Sequence, residues 1–317
     1  MQATAIAHPN IAVVKYWGKR NIDLNLPATP SISVTLDAFH TRTTVKWGAQ
    51  QDQLFVNDQP QLGAPLLRVS RFLDRIDPDR PPCTVTSTNN FPTAAGLASS
   101  ASAFAALTLA ATKAAGQKQT MTELSVLARQ GSGSACRSLW GGWVEWSMGQ
   151  AEDGHDSHGH PLAPQDHWDI RVVVAMVASG PKPIGSTAGM IHTEETSPLY
   201  AGWTASAEGD VTAARAAILR RDLAALGQIM EHSTLKMHAT MLSAKPSVRY
   251  MTPETLSVLS TVEALRKNGV GAWYTMDAGP NVKVLCEAAD ANVVAKALQS
   301  LVPRVVILGV GGNATIV

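Results

Sequence analysis

Asn89-Asn-Phe-Pro-Thr-Ala-Ala-Gly-Leu-Ala-Ser-Ser-Ala-Ser-Ala103 is the segment on which the fold turns. A β-branched run at residues 83–88 enters a loop that holds Pro92 and Gly96. The loop opens into residues 97–115, which are Ala-rich, free of proline and followed by Gly116, the pattern of a helix with a glycine stop. A helix start reached in this way offers unpaired backbone N–H groups and the positive end of a dipole, a setting that favours phosphate. Gly96 lets backbone approach an anion closely, and Ser99 and Ser100 add hydroxyl donors. The spacing matches neither GxxxxGK(S/T) nor GxGxxG, and an ordinary serine-rich helix start is the other reading.

Upstream of this segment the chain reads as strands: residues 4–7, 11–17, 31–36, Thr41–Trp47 and Gln53–Val56, broken by Pro9, Pro27, Pro30 and Gly48, with a helix at 64–76. Downstream, Thr120-Met-Thr-Glu123 has the form of a capping box and opens a helix through residue 129, and residues 143–148 alternate as a strand. The second half begins with a strand at 170–178. Helices are expected at 204–220 and 222–241, and a third at Pro253–Lys267, where Thr252 is the N-cap and Gly269 the stop. Strands Ala272–Met276 and 282–286, a helix near 291–301 and a closing strand at 305–308 complete the chain. Runs of strands and helices without strict βαβ alternation predict an α+β fold in two domains, residues 1–165 and 166–317. The seam falls in the histidine-rich stretch GHDSHGHP, residues 154–161, which with Pro164 and His167 reads as an exposed loop. Its three histidines could hold a metal or simply be solvated.

With 317 residues, 45% apolar and 16% charged, the chain can bury a sizeable core. Its 26 Lys plus Arg against 25 Asp plus Glu give a net charge of +1, which argues against a general nucleic-acid binder. Local cations still suffice for a small anion. Cys83, Cys136 and Cys286 are scattered without CxxC spacing, so neither a disulfide framework nor a thiolate zinc site is expected, and a reducing compartment fits. The N-terminus lacks a signal-peptide pattern, and the longest apolar run, 172–178, is too short to span a bilayer. The expectation is a soluble cytoplasmic protein.

Four further segments carry possible chemistry. Gly131-Ser-Gly-Ser-Ala-Cys-Arg137 combines free backbone, hydroxyls and a guanidinium suited to gripping a carboxylate or phosphate; a helix cap with a surface arginine is the plain alternative. Lys15-Tyr-Trp-Gly-Lys-Arg20 gathers cations and aromatics at a strand end, as an anion site or as an aromatic corner with solvated lysines. In Tyr274-Thr-Met-Asp-Ala-Gly-Pro-Asn281, Asp277 stands where an apolar strand meets a Gly-Pro turn, placed either as a general base or as a turn former. Residues 179–190, SGPKPIGSTAGM, supply Lys182, Ser186 and Thr187 after a strand.

Read in order, NIAVVKYWGKR, SISVTL, NNFPTAAGLASSAS, RQGSGSACRSLWGGWVEW, GSTAGM…ETSP and YTMDAGPN resemble the diphosphomevalonate decarboxylases of the GHMP kinase superfamily over nearly the whole chain. The Ala-Gly-Leu-Ala-Ser-Ser loop points only to the superfamily; GSGSACRS together with MDAGPN is far more specific. The resemblance implies an N-terminal domain like ribosomal protein S5 domain 2 and a C-terminal ferredoxin-like α+β sandwich, with the active site in the cleft between them. It implies ATP as co-substrate, Mg²⁺, no nucleic-acid or membrane partner, a homodimer, and conversion of mevalonate 5-diphosphate to isopentenyl diphosphate, CO₂, ADP and phosphate. Carried over by motif, Asp277 is the catalytic carboxylate, Arg137 holds the substrate carboxylate and Lys15 is a neighbouring cation. Tyr16, Trp17, Gly18 and Lys19 line the substrate site, with Ser132, Gly133, Ser134, Ala135 and Cys136 beside Arg137, and Ser186, Thr187 and Met190 opposite. Asn90, Pro92, Gly96, Leu97, Ala98, Ser99 and Ser100 cover the ATP phosphates, with Lys182 near. The metal ligands are left unassigned.

One departure stands out. Family members often carry an arginine in the hairpin after a strand resembling Gln53–Val56, where it helps hold the substrate phosphates. Residues 57–61 contain none, which leaves Arg68 or Arg71 as substitutes. A decarboxylase of the monophosphate, a kinase that stops at phosphorylation and a non-catalytic metabolite sensor are the rival readings.

Overall fold

A computed structural model describes residues 1–91, 99–178 and 184–317. The first half runs β1 (Gln2–Ala7), β2 (Asn10–Val14), β3 (Lys19–Asn21), β4 (Leu26–Pro27), β5 (Ser31–Thr35), β6 (Thr41–Trp47), β7 (Gln53–Val56), β8 (Gln59–Gln61), α1 (Ala64–Ile76), β9 (Cys83–Asn89), α2 (Ser99–Ala114) and α3 (Met121–Gly131). A 3₁₀ turn (Gly133–Arg137), β10 (Trp143–Trp146) and β11 (Gly159–Ala163) follow. The second half runs β12 (Ile170–Met176), α4 (Ser186–Thr196), α5 (Tyr200–Arg220), α6 (Leu223–Leu242), α7 (Pro253–Lys267), β13 (Ala272–Met276), β14 (Val282–Glu287), α8 (Ala291–Leu298), β15 (Arg304–Leu308) and β16 (Thr315–Ile316).

The largest sheet has the order β16-β1-β6-β9-β7-β8. β6 buries Thr41, Thr43, Val45 and Trp47 and turns the residues between them outward, the two-residue period of a sheet with one covered face. That face takes α2, whose Ala105, Ala106, Ala110 and Ala111 are fully buried and let the helix lie close to the strands. α2 is buried nearly all round because α1, α3 and the 3₁₀ turn cover its other side. Burial on every side explains why the Ala-rich run shows so little amphipathic pattern.

Two four-stranded sheets, β11-β10-β5-β2 and β13-β14-β12-β15, sandwich α5 and α6. Ile11, Val13, Ile32 and Val34 from the first sheet share one core with Val172, Val174 and Leu285 from the second, with Val211, Ala214, Ile218, Leu226 and Met230 of the helices between. The alternate residues Val173, Ala175, Val284 and Cys286 pack on α7 and α8. Covered on both faces, β12 is an unbroken apolar run from Val172 onward. The consequence for function is rigidity: side chains from the two halves are held in register by one continuous core.

Several expectations need correction. The strand expected at 11–17 ends at Val14, because the β2–β5 register slips between Ala12 and Val14 and the chain leaves the sheet at Lys15. A bulge of this kind commonly re-aims a side chain beside a site. Residues 159–163 of the stretch read as a histidine loop form β11, an edge strand paired with β10. The segment containing Ser186 and Thr187 is the start of α4, a helix that the sequence reading did not foresee, since its polar and small residues give it almost no apolar stripe. Strand 143–148 closes at Trp146, and the helix expected from residue 204 already begins at Tyr200. The final residues return to the first half, where Ala5 pairs with Ile316 and Leu36 bridges Val310. Pro92, Gly96, Leu97, Ala98 and Lys182 lie outside the described residues.

Candidate active site

Asp277 follows the last residue of β13, where the strand breaks into Asp-Ala-Gly-Pro and Gly279 N–H donates to the Asp277 carbonyl at 2.8 Å. The turn aims the carboxylate sideways. Lys15 Nζ donates to Oδ1 at 2.7 Å, and Lys283 Nζ donates to Oδ2 at 3.0 Å. Both lysines are buried, whereas the Asp277 side chain keeps 25% of its surface exposed, on the cavity side. Burial alone would raise the Asp277 pKa; the charges of Lys15 and then Lys283 outweigh it and hold the carboxyl well below the usual range. Burial, offset in part by Asp277, lowers the Lys15 ammonium to about 8. Lys15 is further fixed by its Nζ donating to the Ala12 carbonyl at 2.9 Å and its backbone N–H donating to Ser233 Oγ on α6 at 3.0 Å.

Arg137 closes the 3₁₀ turn at the other end of the same cavity. Its Nη1 donates to Ser31 Oγ at 2.6 Å, its Nε to Ser33 Oγ at 2.9 Å and its Nη2 to Asn10 Oδ1 at 3.2 Å. Asn10 is held in turn by donating to Ser138 Oγ at 2.8 Å and the Ser134 carbonyl at 3.1 Å. Trp146 backs the guanidinium, 5.6 Å from the ring centroid. Burial pulls the Arg137 pKa down, yet a guanidinium stays charged at neutral pH. By donor count, one N–H on each terminal nitrogen is left over among the described residues, donors of the kind a carboxylate accepts. In the 3₁₀ geometry residues three apart eclipse, so Ser134 and Arg137 do share a face. Gly133 is required between them: a Cβ there would stand 2.8 Å from the Trp146 ring and 3.0 Å from Tyr16 Oη.

The cavity between Asp277 and Arg137 has a volume of about 390 Å³. Lys15, Tyr16, Trp17 and Lys19 form one wall, Ser100, Ser132, Gly133 and Ser134 a second, and Ser186, Thr187 and Met190 a third. Lys19 donates to Thr187 Oγ1 at 3.1 Å and to Asn25 Oδ1 at 2.6 Å, tying the walls together. Burial and the charge of Arg68 lower its pKa to about 8. Ser132 Oγ lies 3.1 Å from Ser100 Oγ, which links the described start of α2 to the end of α3. The Tyr16 hydroxyl is buried and without a partner among the described residues, a donor available to a ligand.

Other residues named from sequence lie elsewhere. Ala135 belongs to the core beneath α2, and burial pushes the Cys136 thiol up to about 12. Gly18 takes φ 111° and makes room for Tyr200, a packing role behind the wall. Asn90 clamps the turn at Ala38 and His40 and does not reach the cavity, and Ser99 is absent from its lining. Arg20 donates to the carbonyls of Met148 and Ala151 at the surface. Of the two candidate replacements for the hairpin arginine, Arg68 lines the cavity, anchored to the Gly131 carbonyl at 2.7 Å and lying 4.6 Å from the Phe104 ring centroid, while Arg71 does not. Lys283 was not foreseen, although a lone cation inside the apolar run 282–286 was the available signal. Nor were Ser31 and Ser33, whose even spacing in SISVTL puts both on the Arg137 side. Among the described residues, Lys15, Lys19, Arg68 and Arg137 against the one Asp277 carboxylate make a cavity suited to polyanions.

No group of three or more His, Cys, Asp or Glu is gathered for a metal among the described residues. His155 pairs with Asp153 at 2.7 Å, and His158 and His160 meet edge to face at 6.2 Å.

A family model of the diphosphomevalonate decarboxylase-like N-terminal domain matches residues 7–159, and one of the mevalonate 5-diphosphate decarboxylase C-terminal domain matches residues 172–308. The chain is 39% identical to the diphosphomevalonate decarboxylase of Aspergillus fumigatus, covering 95% of this chain and 80% of that one. Identity to the human diphosphomevalonate decarboxylase is also 39%, over 89% and 76% of the two chains. The crystal structure of mevalonate diphosphate decarboxylase from Staphylococcus aureus superposes with a TM-score of 0.94 at 36% identity, over 100% and 98% of the chains. A structure described as MDDEF in complex with MVAPP, AMPPCP and magnesium gives 0.93 at 37% identity, over 100% and 99%.

Proposed function

Because the chain belongs to the diphosphomevalonate decarboxylase family, we infer that the cavity between Asp277 and Arg137 is its catalytic centre. The protein is an ATP-dependent decarboxylase that converts mevalonate 5-diphosphate to isopentenyl diphosphate, releasing CO₂, ADP and phosphate. One observation carries the residue assignment: an ionised carboxylate and a fixed guanidinium, one from each half of the chain, line a single small cavity.

The tertiary C3 hydroxyl is a poor nucleophile and a poor leaving group, so it is first phosphorylated. Its oxygen attacks the γ-phosphorus of ATP, the bond from that phosphorus to the β-phosphate oxygen breaks with its electron pair, and ADP departs. Asp277 orients the hydroxyl and takes its proton as the new oxygen–phosphorus bond forms, since a carboxylate this acidic cannot remove the proton beforehand. Lys15, at the cavity wall, compensates charge on the transferring group. The C3–oxygen bond then breaks and phosphate leaves with the electron pair. Electrons from the bond to the carboxylate form the alkene, and CO₂ departs. Arg137, pinned by Ser31, Ser33 and Asn10, fixes that carboxylate so that the breaking bond lines up with the departing phosphate.

Lys19 and Arg68 face the 5-diphosphate in this arrangement, with Thr187 and Ser186 beside them. Mg²⁺ fits the donor set: the hydroxyl oxygens of Ser100 and Ser132 are hard ligands that would hold it together with ATP phosphates. The ion supplies charge neutralisation on the transferring phosphates. The phosphate loop, residues 92–98, and Lys182 complete the ATP side by motif, and we place the domain boundary at residues 165/166. A cytoplasmic homodimer is the accompanying reading. It is supported by the family resemblance, by three free buried cysteines and by the lack, among the described residues, of any helix long and apolar enough to cross a membrane.

Incubation with ATP, Mg²⁺ and each of mevalonate, its 5-phosphate and its 5-diphosphate tests the function. The expected result is CO₂ and ADP in equal amounts from the diphosphate. Greater kcat/KM on the monophosphate, or ADP without CO₂, contradicts it.

A further inference from the structure

Lys283 stands inside an apolar strand. Val282, Val284 and Cys286 face α7 and α8, so the alternation of β14 turns Lys283 to the other side, towards α6 and Asp277. Its side chain is only 1% exposed. An ammonium so deeply buried is costly unless it is paired, and here Nζ donates to Asp277 Oδ2 at 3.0 Å and to the Asn281 carbonyl at 3.4 Å. Lys15 occupies Oδ1, so one carboxylate serves two cations. Lys15 lines the cavity and Lys283 does not. Among the described residues, the other charged or titratable groups around Asp277 are His238 on α6, kept neutral by burial and Lys15, which push it down to about 4, and Arg137 on the 3₁₀ turn.

We propose that Lys283 is a positioning residue for phosphoryl transfer: from behind the cavity wall it pins Oδ2 of Asp277, so that the carboxylate and the Lys15 ammonium meet the tertiary hydroxyl in one fixed arrangement. The proposal rests on Asp277 being the catalytic carboxylate. Lys283 also bears on Lys15 directly, because two ammoniums on one carboxylate repel and the charge of Lys283 makes Lys15 easier to deprotonate. Removing Lys283 therefore leaves binding groups in place, loosens the base and keeps the Lys15 ammonium protonated to higher pH.

The test is Lys283→Met, with kcat and both KM values followed against pH. The kcat should fall about tenfold or more, with both KM values within about threefold, because a misplaced group costs rate while the phosphate contacts remain. The alkaline limb of kcat should move up by about half a pH unit or more as Lys15 loses its like-charged neighbour. Lys19, the other cavity lysine lowered to about 8, is affected by Arg68 and not by Lys283, so its contribution stays in place. Lys283→Gln keeps a donor for Oδ2 without the charge and carries the test should the Met chain not fold. A kcat within about threefold of the parent, or a lower kcat with an unmoved limb, overturns the proposal. Asp277→Asn separates the two readings: an active Asn chain removes the premise, whereas an inactive one beside an unmoved limb in the Lys283 variant removes this inference alone.

Discussion

Arg137 Nη1 lies 2.6 Å from the hydroxyl oxygen of Ser31, and the same guanidinium reaches Ser33 and Asn10, so its orientation is fixed before any ligand arrives. Such preorganisation explains how one cation could direct a C–C bond cleavage. A lysine at this position would keep the charge and lose the planar fork.

Arg137→Lys should therefore lower CO₂ release by about a hundredfold, because the carboxylate is no longer held in line with the departing phosphate. The stranded acceptors at Ser31, Ser33 and Asn10 should cost about 1–3 kcal/mol of stability. Single-turnover release of labelled CO₂ and denaturant unfolding check the two effects separately.

Arg68 lines the cavity, whereas residues 57–61 contain no arginine, and we assign it the diphosphate contact. Arg68→Gln should raise KM for mevalonate 5-diphosphate about tenfold or more, the value of a charge-assisted hydrogen bond, with kcat little changed. Steady-state kinetics with each substrate varied in turn gives the answer; an unchanged KM would mean that the diphosphate lies elsewhere.

Lys15 and Lys19 both titrate at about 8, pulled down chiefly by burial. In the proposed mechanism their ammoniums bind phosphate and stabilise transferring charge, so kcat/KM should fall as pH rises through about 8. Stability moves the other way. The folded pKa lies below the unfolded value of 10.5, so the unfolded chain binds more protons between the two, and these groups make the fold more stable as pH climbs through that window. A pH–rate profile beside thermal unfolding at pH values on either side of 8 would expose the opposition.

Gly133→Ala puts a methyl carbon 2.8 Å from Trp146 and 3.0 Å from Tyr16 Oη, neighbours too rigid to move freely. Overpacking of this kind should cost about 1–3 kcal/mol and raise KM for mevalonate 5-diphosphate as the wall shifts. Thermal melts with and without substrate would register both.

Much of this was legible in the residues. MDAGPN and GSGSACRS singled out Asp277 and Arg137, which line one cavity, and the Thr120 and Thr252 caps sit where their patterns place them. What escaped was set by packing. β11 is the edge strand Gly-His-Pro-Leu-Ala, without a β-branched residue, so nothing in its own composition favours pairing until β10 is beside it. α4 has no clear apolar stripe. The role of Lys283 depends on Lys15, more than 260 positions away, and only the shared core around α5 and α6 brings the two onto one carboxylate. Local patterns announce caps, turns and motif residues, whereas contacts between halves of the chain emerge only when the sheets stack.

The sharpest test of the whole account is a single turnover of Asp277→Asn with ATP, Mg²⁺ and mevalonate 5-diphosphate labelled at the carboxylate. Both ligands should bind as in the parent, by calorimetry, while ADP and labelled CO₂ form at least about a hundredfold more slowly, the usual penalty for losing the group that handles the proton. Labelled CO₂ appearing within about tenfold of the parent rate would contradict it.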